Sequence, residues 1–208
     1  MARREKRSER SKIDATPPWE RRKPTPTATT TGPFDITDAP DDEIGRVDLG
    51  ALKVPVSELE MRLDVAETQE VVSVTLVSEQ GQMQLGAFAA PRSEGIWDEV
   101  RGEIKQGLTE QGGRANDETG EFGTELAGQL GPDAGRAPVR FIGVDGPRWL
   151  LRAMLVGPVA QSQAARADFL ETLRQTVVVR GTDPLPVREP IPLRLPLEVA
   201  EQIAGPQE

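Results

Sequence analysis

Two hydrophobic periods meet between Gly81 and Gly113, and their junction limits the folds open to this chain. Met83, Leu85, Ala87 and Ala89 alternate with Gln84, Gly86 and Phe88, the period of two of a strand with one face on a core. Pro91 cannot donate to a ladder and ends the strand. Ser93 stands at the expected N-cap of a helix, and Glu94, Asp98 and Glu99 fall near its positive dipole end. Trp97, Val100, Ile104 and Leu108 recur at spacings of three and four, so this helix has one apolar stripe. Gly112 and Gly113 close it. A strand, a short hinge and a one-sided helix make a unit in which the helix covers a sheet.

The other segments supply that sheet. Val47–Val56 is the first expected ordered stretch, offering Leu49, Leu52 and Val54 to a core. Residues 61–66 and 71–78 read as strands, and Glu79–Gln82 holds the glycine that hairpins favour, so 71–78 is expected to pair with 83–89. Residues 114–121 are polar and read as a loop or the start of a weak strand. Strands are predicted at 122–130, 139–144 and 149–157, the last nearly all apolar and therefore central. Asp145–Arg148 is a tight reversal in which Gly146 supplies the positive φ. A second helix is predicted over Gln161–Thr176, with Ser162 as cap and Phe169, Leu170, Leu173 and Val177 as its stripe. A short strand follows at 177–179. From Pro184 to Leu197 five prolines interrupt an alternation of Ile191, Leu193, Leu195 and Leu197, which suits a sheet edge or an extended arm.

The order predicts an α+β fold: an antiparallel sheet of about six strands packed by two helices. It is similar in element order to the sandwich of the PsbP-like fold. The expected organisation is a disordered tail over residues 1–45, basic and then acidic, an α+β domain over 46–182, and a Pro-rich extended arm over 183–208.

Composition narrows the chemistry. There is no Cys, His or Tyr, which removes disulfides, thiol nucleophiles, the commonest general base and the commonest zinc ligands. A carboxylate pair is the remaining route to catalysis, and no spacing among the 34 acidic residues singles one out. Asp35, Asp38, Asp41, Asp42 and Glu43 lack calcium-loop spacing. The expectation is therefore no enzyme, no cofactor and no metal. No apolar run reaches a membrane span and no signal h-region is present, so the expected location is cytoplasmic. Residues 1–24 hold nine Lys/Arg against four Asp/Glu, leaving 16 against 30 in the rest. Arg3, Arg4, Lys6, Arg7 and Arg10 form the dense part of an electrostatic arm, which attracts nucleic acid weakly or serves as a solvated tail.

The runs GPFD (32–35), DLG (48–50), FAAPRSEGIWDEVR (88–101), GEFGTEL (120–126), RFIGVDGPRWLLR (140–152) and PLRLP (192–196) resemble a domain-of-unknown-function family of small actinobacterial proteins. The resemblance spans about residues 32–197. It implies a cytoplasmic, single-domain protein without an established activity, and it carries over no catalytic residues.

Six residues form the candidate binding surface: Arg92, Trp97, Arg140, Asp145, Arg148 and Arg152. Arg148 and Arg152 share parity on one strand and are expected on one face, with Arg92 at the hinge. With Asp98, Glu99 or Asp145 these arginines make either a pocket for a carboxylate or phosphate or a set of structural ion pairs. Trp97 is either a binding aromatic or a core residue with its indole N–H bonded near the rim. Gly143 and Gly146 flank Asp145 without a phosphate-loop pattern, which leaves Asp145 to serve the turn. A protein-interaction or scaffold module heads the functional readings. A nucleic-acid-associated accessory protein using the basic arm follows, and then a carboxylate-only enzyme.

Overall fold

A computed structural model describes residues 31–65, 71–131 and 137–196; the expected disordered tail, apart from residues 31–45, lies outside them. The class is α+β, with one large antiparallel sheet, a smaller sheet and two α-helices. The larger sheet has seven strands. In chain order these are β4 (Glu60–Val65), β5 (Val71–Ser78), β6 (Gly81–Ala89), β7 (Arg114–Gly120), β8 (Gly123–Leu130), β9 (Ala137–Gly146) and β10 (Trp149–Val156). Across the sheet they lie in the order β4-β5-β6-β10-β9-β8-β7. The hydrophobic strand β10 is central, as its composition requires. Hairpin β5–β6 forms as expected, with Ser78 opposite Gly81.

The seventh strand is β7, which the sequence reads as a loop or weak strand start. Its residues RANDETG show no apolar alternation, yet all of them pair with β8. The second sheet contains β1 (Phe34–Asp35), β2 (Arg46–Asp48), β3 (Leu52–Pro55) and β11 (Val177–Val178), in the order β1-β11-β3-β2. Helix α1 spans Trp97–Glu110 and α2 spans Ala167–Gln175. The second helix is shorter than expected because residues 161–166 form turns, with the Ala165 N–H donating to Ser162 Oγ at 3.2 Å.

Strand alternation divides the core into two layers. Met83, Leu85, Leu151, Ala153, Leu155 and Ile142 point to the inner face of the large sheet. There they pack with Leu52 and Val54 of the small sheet and with Phe169 and Leu173 of α2. The outer face carries Leu126, Val139, Phe141 and Leu150, which pack under Ile96, Trp97 and Leu108. Helix α1 lies over the β7–β8–β9 half of this outer face.

Two tryptophans sit on glycines of one strand. A methyl group on Gly143 would overlap the Trp97 ring, and one on Gly146 would overlap Trp149. Gly146 was expected to supply a positive φ at the reversal. Its observed use is to admit an indole, and Arg148 adopts the left-handed conformation instead, at φ 66°.

The Pro-rich arm packs on its own chain as far as Pro196; residues 197–208 of the expected arm lie outside the described residues. The Ile191 N–H donates to the Ala87 carbonyl at 2.8 Å, and the Arg194 N–H to that of Leu49 at 2.8 Å. Ile191 and Leu193 are buried in the inner core.

Gly143→Ala is expected to destabilise the protein by about 1–3 kcal/mol, the range for overpacking a filled core. Urea unfolding should show it, whereas Gly102→Ala on α1, where an added methyl meets nothing within 4 Å, should be neutral or stabilising.

Candidate binding site

The six candidate residues do not converge. Arg140 points to the inner face, opposite Arg152, because the two sit at opposite parity in the β9–β10 register. It is 5% exposed, and its partner Glu125 is 2% exposed. Arg140 Nη1 donates to Glu125 at 2.7 Å, Nη2 to Glu118 at 2.6 Å and Nε to the Ala160 carbonyl at 2.9 Å. Burial opposes the charge on Arg140, but these two carboxylates outweigh it and hold its pKa above the usual value. Gly120 leaves the space that the Glu125 carboxylate occupies. Arg140 is thus ion-paired, though with Glu118 and Glu125 rather than with Asp98, Glu99 or Asp145.

Asp145 serves α1 from a distance. Its Oδ1 accepts from the Ile96 N–H at 2.8 Å and the Trp97 N–H at 3.2 Å, and Oδ2 accepts from the Trp97 N–H at 3.1 Å. These amides open the helix, and neither has a partner within it. The cap expected from Ser93 is therefore replaced by a carboxylate from β9, and the helix begins at Trp97. Burial raises the Asp145 pKa, against the backbone donors that lower it. Trp97 is 6% exposed, and its indole N–H donates to the Thr124 carbonyl at 2.7 Å.

Arg148 lies in the turn between β9 and β10, outside the strand, so the parity shared with Arg152 does not apply. Its carbonyl accepts from the Ala90 N–H at 2.9 Å and from Arg180 Nε at 3.2 Å. Arg92 is exposed in the hinge between β6 and α1. The arm residues Arg3, Arg4, Lys6, Arg7 and Arg10 lie outside the described residues.

Arg152 differs from the others. It projects from the central strand onto the outer face, with its Cζ 4.7 Å from the centroid of the Phe88 ring. Cation–π attraction holds the guanidinium there. None of its N–H groups meets a hydrogen-bond acceptor or carboxylate among the described residues. Burial alone lowers its pKa. Arg152 stands in a cavity of about 160 Å³ between α1 and strands β6 and β10. Phe88, Ile96, Val100 and Leu150 supply apolar walls, and Glu103 and Arg188 complete the lining. The Arg188 guanidinium donates to Glu103 at 2.7 Å and to Glu99 at 2.9 Å, so the arm is clasped to α1 beside the cavity.

Three other hollows each contain an arginine that is already engaged. The one beside Arg140 contains the Glu118 pair. In the depression at the end of β2, Arg46 donates to Asp42 at 2.6 Å and to the Gln175 carbonyl at 3.0 Å. Arg180 donates to the carbonyls of Arg148 and Asp183.

Sequence reasoning selected Arg152 but missed its surroundings. The available signal was Phe88, a large aromatic among the positions that Gln84 and Gly86 mark as facing away from the inner core. Arg188 carried no signal, because nothing in the Pro-rich segment shows that it returns to α1.

A second polar cluster lies on the β4–β5–β6 part of the large sheet. Asp64 Oδ2 accepts from Ser73 Oγ at 2.6 Å, Thr75 Oγ1 at 2.7 Å and Gln84 Nε2 at 3.2 Å. Burial raises the Asp64 pKa, but the three donors outweigh it and leave the value lowered.

Two outcomes test these readings. Because the folded pKa of Asp64 is lowered, its contribution to stability is full above the unfolded value of about 4 and is lost as pH falls through the folded value. Asp64→Asn should therefore flatten the pH dependence of urea midpoints below about pH 4. Separately, Glu125→Gln, which leaves Arg140 with the half-exposed Glu118 as its one carboxylate, should cost about 1–3 kcal/mol. The double variant Arg140→Met/Glu125→Leu should cost less than that single change.

Among the described residues no helix is long and apolar enough to cross a membrane. No curated protein and no solved structure matches the chain. A family model does match, covering residues 32–202 and so nearly all of the described structure, and on it the chain belongs to the family described as protein of unknown function, DUF3710.

Proposed function

We propose that this protein is a non-enzymatic interaction module that holds a partner protein through the cavity over Arg152. The supporting observation is the half-buried guanidinium of Arg152, 4.7 Å from the Phe88 ring centroid and with no hydrogen bond or ion pair to an acid among the described residues. A half-buried guanidinium without a protein acceptor keeps its donors for water or for a ligand, and a carboxylate is the acceptor that matches its fork. The partner therefore presents a carboxylate here.

Size favours an anchoring side chain over a substrate. Small-molecule sites run to roughly 300–1,000 Å³, whereas this cavity is about 160 Å³. Interfaces concentrate their energy in small, desolvated pockets that take single residues. The buried carboxylates have structural uses: Glu125 answers Arg140, Asp35 accepts from Trp149, and Asp145 caps α1. These engagements support a reading without catalysis.

Site-directed photo-crosslinking tests the proposal. A p-benzoylphenylalanine at position 103 of the full-length chain, on the cavity wall, should crosslink one protein in source cells. Arg152→Gln should lower the yield about tenfold, as expected for loss of one charge-assisted contact. The same group at position 116, on the opposite sheet face, should not capture that protein. Equal capture with and without Arg152, or recovery of nucleic acid instead of protein, refutes the reading.

A further inference from the structure

We infer that the residue seated in the cavity is the last residue of the partner chain, an apolar side chain whose own α-carboxylate meets Arg152. This rests on the interaction reading above and narrows it to one chemistry. A carboxylate and an apolar group are both required, and both must fit in about 160 Å³, the liquid volume of about five waters. A C-terminal Leu, Ile or Val carries the two on one carbon.

An internal Asp or Glu fits less well. It brings a carboxylate, but it also brings backbone amides on both sides. Phe88, Ile96, Val100 and Leu150 offer those amides no side-chain hydrogen-bond partner, and unpaired buried amides are costly. A chain end has one fewer peptide group to desolvate, and its side chain has apolar walls to meet.

The orientation of Arg152 suits this ligand. The guanidinium carbon lies over the Phe88 ring, 4.7 Å from its centroid, and the N–H edges of the group meet no acceptor among the described residues. Those edges match the two oxygens of a carboxylate in a forked, bidentate contact. The rest of the lining sets the charge. Glu103 faces the same cavity and, with Glu99, is tied to Arg188. A monoanion meets less repulsion from these acids than a dianionic phosphate does.

The test is NMR titration of the full-length protein, read at the Arg152 Nε–Hε resonance and the methyl groups of Ile96, Val100 and Leu150. The probes are the peptide Gly-Ser-Gly-Ser-Leu with a free or amidated C-terminus, N-acetyl-leucine, acetate and inorganic phosphate. The free-acid peptide should give saturable shifts at both the arginine and the methyl groups. Amidation should weaken binding about tenfold or more, and so should Arg152→Gln, with Arg152→Lys in between. An unchanged methyl spectrum of each free variant establishes that it is folded.

Equal binding of the amidated peptide overturns the inference while leaving an apolar anchor and the interaction reading in place. Binding of N-acetyl-leucine but not of the free-acid peptide overturns it in favour of a small carboxylate. Acetate or phosphate saturating the site as well as the peptide overturns it in favour of a simple anion. Absence of any shift overturns it too, and the crosslink from position 103 then judges the interaction reading separately.

Discussion

The carboxylate of Asp145 makes the contact on which the architecture turns. It leaves the end of β9 and takes the first two amide N–H groups of α1, so the helix starts where the sheet supplies a partner for it. Gly95 has no side chain to collide with that carboxylate. With its start held, α1 lowers Trp97 onto Gly143, and the indole N–H reaches the Thr124 carbonyl on β8. One side chain thereby sets the position of the helix, and the helix forms one wall of the Arg152 cavity.

The same strand end organises the inner layer. Gly146 makes room for Trp149, whose indole N–H donates to Asp35 at 2.7 Å. Asp35 is 5% exposed and also accepts from the backbone and hydroxyl of Thr37. The run from Gly143 to Trp149 thus ties α1 on one face of the sheet to β1 on the other. Residues that look in sequence like a glycine-rich loop beside an acid are a seat, a cap, a second seat and an anchor.

Much of this was legible, and the failures have definite causes. Alternation over 71–89 specified the β5–β6 hairpin because both strands bury one face. The stripe from Trp97 to Leu108 specified α1 because helix and sheet meet along it. Strand β7 was illegible because its stability comes from pairing with β8 and from charges that meet α1, as when Lys105 reaches Asp117 at 3.2 Å. Local signals also placed the helix start too early, since its cap is distant in the chain. The arginines were recognised as a group on incomplete geometry: Arg148 has left the strand, Arg140 faces the other way, and only Arg152 reaches the outer cavity. Asp35, which the sequence groups with the acidic run up to Glu43, is buried because an indole some hundred residues later needs an acceptor.

The pairing of β1 with β11 also has a kinetic consequence. Phe34 lies beside Val177 in parallel register, and the arm seals the core still later, at Ile191 and Leu193. The small sheet cannot close until almost the whole described chain has been synthesised. Contacts of such high sequence separation carry a large loop-closure cost and slow folding. Until then, Leu49, Leu52 and Val54 have lost neither water nor the risk of meeting another nascent chain. The hairpins β5–β6 and β9–β10 close locally, whereas the central β6–β10 pair, the small sheet and the arm all wait on distant segments.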